Sequence, residues 1–266
     1  MKLIGLVLLA LIALSVLIWG FGAWRLSRLA SGLRAEILST PPGEVPDLPA
    51  PVRDWARRMG AMPGAARVEF DQRAEMELKP GGGWQAITAR QVIGLGAPDF
   101  LWQAEMRLGP VPLVRVIDAH VGGRGLLTVR ALGALPIGTV QGPDADLGEA
   151  MRYLAELPWA PDAALSNPAL RWQVLAPDHW RVGLDGGAAV DLFLDAAGDV
   201  VRISAKARPA TDPQGQPTTY DWEGHFTDHA QIGGRRIPRR GEVGYIRDGT
   251  YAPYFRGEIT EYRVLR

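Results

Sequence analysis

The 266-residue chain contains no cysteine, which excludes disulfides, thiolate zinc sites, iron–sulfur clusters and cysteine nucleophiles. It also lacks a surplus of charge: 29 basic residues balance 29 acidic ones. There is thus no global basic field to recruit nucleic acid and no acidic tail. Several motifs are missing as well. No GxSxG marks a serine nucleophile, so Asp118 and His120 have no partner for a Ser–His–Asp arrangement. The stretch GGRGLLTVR lacks a GxGxxG opening a helix, so no dinucleotide loop is expected, and we expect no cofactor. No fixed-period repeat indicates a solenoid or propeller.

What the chain does have is turn formers and one apolar run. Its 32 glycines and 21 prolines suit a fold with many turns better than a helical bundle. Leu3 to Trp24 carries no charge. As a helix this run spans about 33 Å, enough for the hydrocarbon core of a bilayer. Trp19 and Trp24 sit near its end, where indoles favour the interface. The run exceeds the h-region of a cleaved signal, and Arg25, Leu26, Arg28 and Leu29 stand where a small-residue cleavage site would be. We therefore expect an uncleaved anchor over residues 1–24 and the bilayer as a partner. Arg25, Arg28 and Arg34 after the run would, by the positive-inside rule, hold the C-terminal part in the cytoplasm. The very short flank with Lys2 is the layout of a translocated anchor. We read the chain as a single-pass inner-membrane protein with its soluble domain on the outer, periplasmic side.

Residues 25–51 follow as a juxtamembrane helix (Arg25 to Leu38) and a proline-rich spacer, STPPGEVPDLPAP. A short helix is expected over Val52 to Met59. Its apolar face of Val52, Trp55, Ala56 and Met59 either packs on the next domain or lies on anionic headgroups.

From Arg67 the period changes to two. Val68, Phe70, Ala74, Met76 and Leu78 alternate with polar residues, as do Phe100, Trp102, Ala104, Met106 and Leu108. Further rows are Leu170/Trp172/Val174, Trp180/Val182/Leu184, Val190/Leu192/Leu194, Val201/Ile203/Ala205 and Tyr220/Trp222/Phe226. Side chains two apart share one face of a strand, so these are half-buried strands. Turn residues separate them at Pro80 to Gly83, Gly122-Gly123, Gly186-Gly187, Asp195 to Gly198 and Gly233-Gly234. Short connections join antiparallel neighbours. The pattern predicts roughly ten or eleven strands over residues 52–266. The fold class expected is mainly β: a curved antiparallel sheet or half-barrel with one or two covering helices, preceded by a transmembrane helix.

One helix interrupts the strands over Asp146 to Leu157, with Asp146 and Glu149 in capping-box spacing. Leu147, Ala150, Met151, Leu154 and Leu157 form its apolar face, and Glu149, Arg152 and Glu156 the opposite one. Those three are the candidate acid–base site; the competing reading is a cap plus an ordinary exposed i,i+4 pair. His225, Asp228 and His229 are candidate metal ligands, but residues four apart on a strand lie about 13 Å apart, too far to share an ion. Phe100, Trp102, Trp172 and Trp222 are candidate contacts for an apolar ligand on a concave face, against the alternative that they fill the core.

At Gly148 to Pro161 the chain reads GEAMRYLAELPWAP. With Trp84, Ala89, Gln91, Pro98, Phe100 and Trp102, the segments LRWQVL and YDWEGHF, and Ile237-Pro238, it resembles a bacterial family of unknown function with a GExxRYLxE…WxP signature. That family is often preceded by a membrane segment, and the resemblance implies no activity or catalytic residues. The architecture also resembles the half-barrels that carry lipoproteins or lipids in bacterial envelopes. Three functions are then open: an envelope module binding a lipid or lipidated ligand, a scaffold for another membrane protein, or an enzyme using the Glu149 face.

Overall fold

The computed structural model describes residues 2–78 and 81–266. Pro80, in the first expected turn, lies outside them. Thirteen strands form a single antiparallel sheet: β1 (Arg67–Glu77), β2 (Trp84–Gly94), β3 (Phe100–Leu108), β4 (Val111–Val121), β5 (Arg124–Ala131), β6 (Leu135–Gln141), β7 (Arg171–Ala176), β8 (His179–Gly183), β9 (Ala189–Leu194), β10 (Val200–Thr211), β11 (Pro217–Ile232), β12 (Arg235–Arg247) and β13 (Thr250–Leu265). The rhythm after Arg67 had suggested two or three fewer. Most of the difference lies in β4–β6 and β12–β13, whose alternation is blurred by glycine, proline and arginine.

The order β6-β5-β4-β3-β2-β1-β13-β12-β11-β10-β9-β8-β7 is two meanders joined where β1 pairs β13. A sheet of this many twisted strands curls, and the result is a half-barrel whose edges, β6 and β7, are not paired to each other. The chain between those edges must cross the molecule, and it does so across the concave side as helix α3 (Pro143–Ala155), a 3₁₀ turn (Leu157–Trp159) and a short helical turn (Ala163–Ser166). This crossing fills the barrel. Tyr153, Leu154, Leu157 and Trp159 are buried in it. Trp159 packs on Phe70 and Phe226 and donates its indole N–H to Pro238 (2.8 Å). Asp162, fully buried, receives both Arg235 Nε and Nη2 at 2.7 Å.

The start of α3 differs from expectation. The helix begins at Pro143, whose fixed φ and missing N–H suit the first turn, with Gly142 preceding it. Asp146 is therefore inside the helix and caps nothing; its Oδ1 instead accepts the Gly125 N–H at the start of β5 (2.7 Å).

Two helices precede the sheet. In α2 (Ala50–Arg58) the predicted face of Val52, Trp55 and Ala56, with Met59 after it, is buried against the barrel, and Trp55 meets Trp172 and Trp180. This is the packed reading; that face is not left free to lie on headgroups. The proline-rich segment also rests on the domain, with Leu48 buried and the Gly43 N–H donating to Ser166.

Helix α1 (Lys2–Ser39) is continuous through both the apolar run and the juxtamembrane stretch. Its first part, Leu3 to Ile18, is exposed all round and is long and apolar enough to cross a membrane. Its second part packs on the convex side of the sheet: Leu26, Ala30 and Ile37 bury against Val92, Leu101, Ile117, Ala119 and Val121. Strands β2–β4 are thus apolar on both faces at this point. Gly22 permits the approach, since a Cβ there would stand 2.7 Å from the Ala134 carbonyl oxygen.

Candidate functional site

Between the concave face and α3 lies a cavity of about 520 Å³, within the roughly 300–1,000 Å³ range of small-molecule sites. One end is apolar, lined by Met76, Leu78, Val114, Val116, Val129 and Ile137. The other end, under α3, is charged. The strand register explains why each side chain points inward. Positions 72, 74 and 76 of β1, 114, 116 and 118 of β4, and 222 and 226 of β11 share the concave face. A bulge in β10 between Ala205 and Arg208, with Ala207 at φ 49°, resets the alternation and turns Arg208 into the barrel.

Two arginines organise the charged end. Arg152 reaches Asp118 Oδ2 (2.6 Å) and Glu156 Oε1 (2.9 Å), with its guanidinium stacked against Phe100 and Trp102. Glu156 also accepts the Gln91 side-chain amide. Arg208 donates to Tyr245 Oη (2.7 Å) and to the Gly148 carbonyl (3.1 Å), lies 3.7 Å from Glu149, and covers the Trp222 ring. Trp222 in turn donates to Tyr254 Oη, and Trp102 donates to Gln72.

Glu149, Arg152 and Glu156 therefore do not form an exposed polar face. They are turned into the barrel, and the i,i+4 pair is desolvated rather than wet. Burial pushes the Glu149 carboxyl up to about 8, aided by the negative charge of Asp118 and opposed by Arg208 and Arg152. Burial also raises Glu156, against the pull of Arg152. At neutral pH Glu149 is thus largely protonated beside Asp118, to which it can donate a hydrogen bond. Asp118 Oδ1, Glu149 Oε2 and Arg208 Nε are buried without a hydrogen-bond partner among the described residues. Such a cluster can hold a polar group, and Glu149 can give up a proton.

Of the four aromatic candidates, Trp102 and Trp222 line the cavity. Phe100 lies behind it as the platform for Arg152, and Trp172 is remote, against Trp55 on β7. Sequence reading missed Arg208, Tyr245, Tyr254 and Phe255, which complete the wall.

The histidine candidates disperse. His225 is on the convex side against Glu223 (2.9 Å). Asp228, at φ 58° in β11, faces Arg239 (3.8 Å). His229 contacts the Val200 carbonyl oxygen (3.1 Å). Among the described residues no group of three or more His, Asp or Glu side chains is placed to hold a metal. His120 Nδ1 lies 2.5 Å from the Pro98 carbonyl, away from the Asp118 cluster. A second, larger groove of about 870 Å³ runs over the outer surface, but its arginines and glutamates pair with one another, as Arg256 with Glu75 (2.6 Å) and Arg107 with Glu105 (2.6 Å).

Three solved structures are similar to this chain at low identity. They are a LolA-superfamily protein from Nitrosomonas europaea (10% identity, 81% of this chain and 92% of that one, TM-score 0.45), a DUF1329 family protein from Desulfovibrio piger (11%, 82% and 92%, 0.46) and a domain described as outer membrane lipoprotein-sorting from Vibrio parahaemolyticus (8%, 80% and 90%, 0.44). No curated protein matches the sequence. The signature segment GEAMRYLAELPWAP is the crossing that fills the barrel and supplies Glu149, Arg152 and Glu156 to the cavity. Residues 39–257, which hold that segment and nearly the whole half-barrel, match the model of DUF6544, and the chain belongs to this family of unknown function.

Proposed function

We propose that this protein is a membrane-anchored binding module for an amphipathic small molecule of the lipid class, held in the cavity between the half-barrel and α3. The single observation that carries the reading is the polarity of that cavity: an apolar throat at one end, and at the other a buried cluster of Asp118, Glu149, Arg152 and Arg208. An alkyl portion would lie along Val114, Val116, Val129 and Ile137. A polar head group, a hydroxyl or an amine, would face the Asp118 and Glu149 carboxyls. Trp102 and Trp222 form the sides. The exposed apolar length of α1 supports anchoring, and we place the domain on the outer side of the inner membrane.

Native mass spectrometry of the full-length protein released from nanodiscs tests the reading. The expected result is a stoichiometric bound species that organic extraction removes and identifies. An empty protein, together with failure of added lipids to bind, would overturn it.

A second reading has its own observation. A protonated Glu149 beside the Asp118 carboxyl is a proton donor facing a cleft. On that reading Glu149→Gln abolishes turnover of the bound species while leaving its occupancy intact.

A further inference from the structure

The strand registers place the turns after β1, β3, β5, β8, β10 and β12 at one rim of the half-barrel. Helix α1 leaves the domain at this rim. It runs up the convex face from Ile37 beside Gly94 to Gly22 beside Ala134, and Trp19 then donates its indole N–H to the Leu132 carbonyl (2.9 Å). The rim is not uniform. On the β1–β6 half, exposed apolar side chains crowd together: Leu78 (56%), Leu108 (70%), Val111, Leu132, Leu135 and Ile137 (61%). On the other half the turns read LDGGA, DPQGQ and DG, with no exposed large apolar side chain, Leu184 being packed against the core. A patch of this kind on a soluble surface marks an interaction site.

The anchor's length says what covers it. Leu3 to Trp19 is 17 residues, about 25 Å as a helix, against a hydrocarbon core of about 30 Å. The bilayer must therefore reach past Trp19 toward Trp24, before the first charge at Arg25. That depth is occupied by the β5–β6 hairpin, tied to α1 at Leu132 and Ala134. The apolar end of the cavity opens at the same place, because Leu78, Val114 and Ile137 belong both to its lining and to this half of the rim.

We infer that the β3–β4 and β5–β6 hairpin tips are seated in the bilayer beside α1, so that the cavity opens onto the hydrocarbon of the membrane and takes its ligand from the leaflet. The inference rests on the anchoring proposed above. The exposed residues need no partner other than lipid, and β6, an edge strand whose seven residues are all exposed, has its apolar Leu135 and Ile137 at the membrane end. The throat then carries an acyl chain inward while the head group travels to Asp118 and Glu149.

The absence of cysteine makes single-site labelling direct. Full-length Leu9→Cys, Leu108→Cys, Ile137→Cys and Gly215→Cys variants would carry the fluorophore NBD in phosphatidylcholine–phosphatidylglycerol vesicles containing doxyl-labelled lipid. The expected result is strong quenching at 9 by deep doxyl groups, quenching at 108 and 137 by shallow ones, and none at 215. Quenching at 9 alone leaves the anchor in place and overturns the seated rim. Blue-shifted but unquenched labels at 108 and 137 mean that a protein covers the rim, which also overturns it. No quenching at 9 removes the anchor and this inference together.

Discussion

Arg152 Nη1 lies 2.6 Å from Asp118 Oδ2, and that contact ties the helix crossing the barrel to the middle of β4. Both side chains are largely buried, and Arg152 holds Glu156 as well. Replacing Arg152 by leucine leaves two carboxylates in a desolvated site. The expected loss is about 3–5 kcal/mol, the usual cost of breaking a buried pair on one side. Urea denaturation of the full-length protein in detergent measures it. Lys206→Met, which removes an exposed pair with Asp221, should shift stability by no more than about 0.5 kcal/mol.

Glu149 gives the protein a signature in pH. Its folded value, near 8, lies above the ordinary carboxyl value of 4.5. Between those values the folded state holds a proton that the unfolded state has lost, so the slope of stability against pH is negative. The stabilisation is complete below about pH 4.5 and disappears as pH rises through 8. In Glu149→Gln this component of the fall should be absent, so the urea midpoint should decline less between pH 5 and pH 8 than in the unaltered protein. Equal slopes in the two proteins would show that Glu149 ionises normally.

Filling the throat should exclude the ligand without disturbing the charged end. Val116 lines the cavity and is only partly buried. Val116→Trp is expected to lower the occupancy of bound lipid at least tenfold in native mass spectra, with the circular dichroism spectrum unchanged. Trp222→Ala, which enlarges the site and frees Tyr254, should weaken binding less.

The outer face of β2–β4 predicts a different failure. Leu101 and Ile117 are almost completely covered by α1. A chain lacking residues 1–38 uncovers them as one apolar patch and should self-associate with concentration in light-scattering measurements. Adding Leu101→Gln and Ile117→Thr should return it to a monomer.

Which parts of this architecture could be read beforehand follows from what each part depends on. Strand faces are local. The two-residue rhythm of Val68, Phe70 and Ala74, or of Val190, Leu192 and Leu194, identified the buried side because one sheet face is wet and the other dry. Leu101 broke that logic. It alternates onto the face of Asp99 and Gln103, yet α1, more than sixty positions earlier, covers it. The polar face of α3 misled for a related reason. Periodicity separates two faces of a helix without saying which one meets water, and here Glu149, Arg152 and Glu156 meet the barrel. Trp102 and Trp222 were found through alternation. Arg208 was not, because a bulge reversed the parity after Ala205, and only Ala207 with its positive φ marks that reversal in the folded chain. Tyr245, Tyr254 and Phe255 come from strands rich in glycine, proline and arginine whose rhythm is faint.

The pairing of β1 with β13 has a consequence for how the molecule is made. Arg67 sits opposite Leu265, so the seam at the centre of the sheet joins segments almost two hundred residues apart. Loop closure over that distance is slow, and topologies dominated by such contacts fold late. During synthesis the first meander must wait with β1 as an open edge until the final strand is delivered. A shortened C-terminus would therefore split the barrel down its middle and leave two unfinished halves, each with a bare strand inviting the wrong partner.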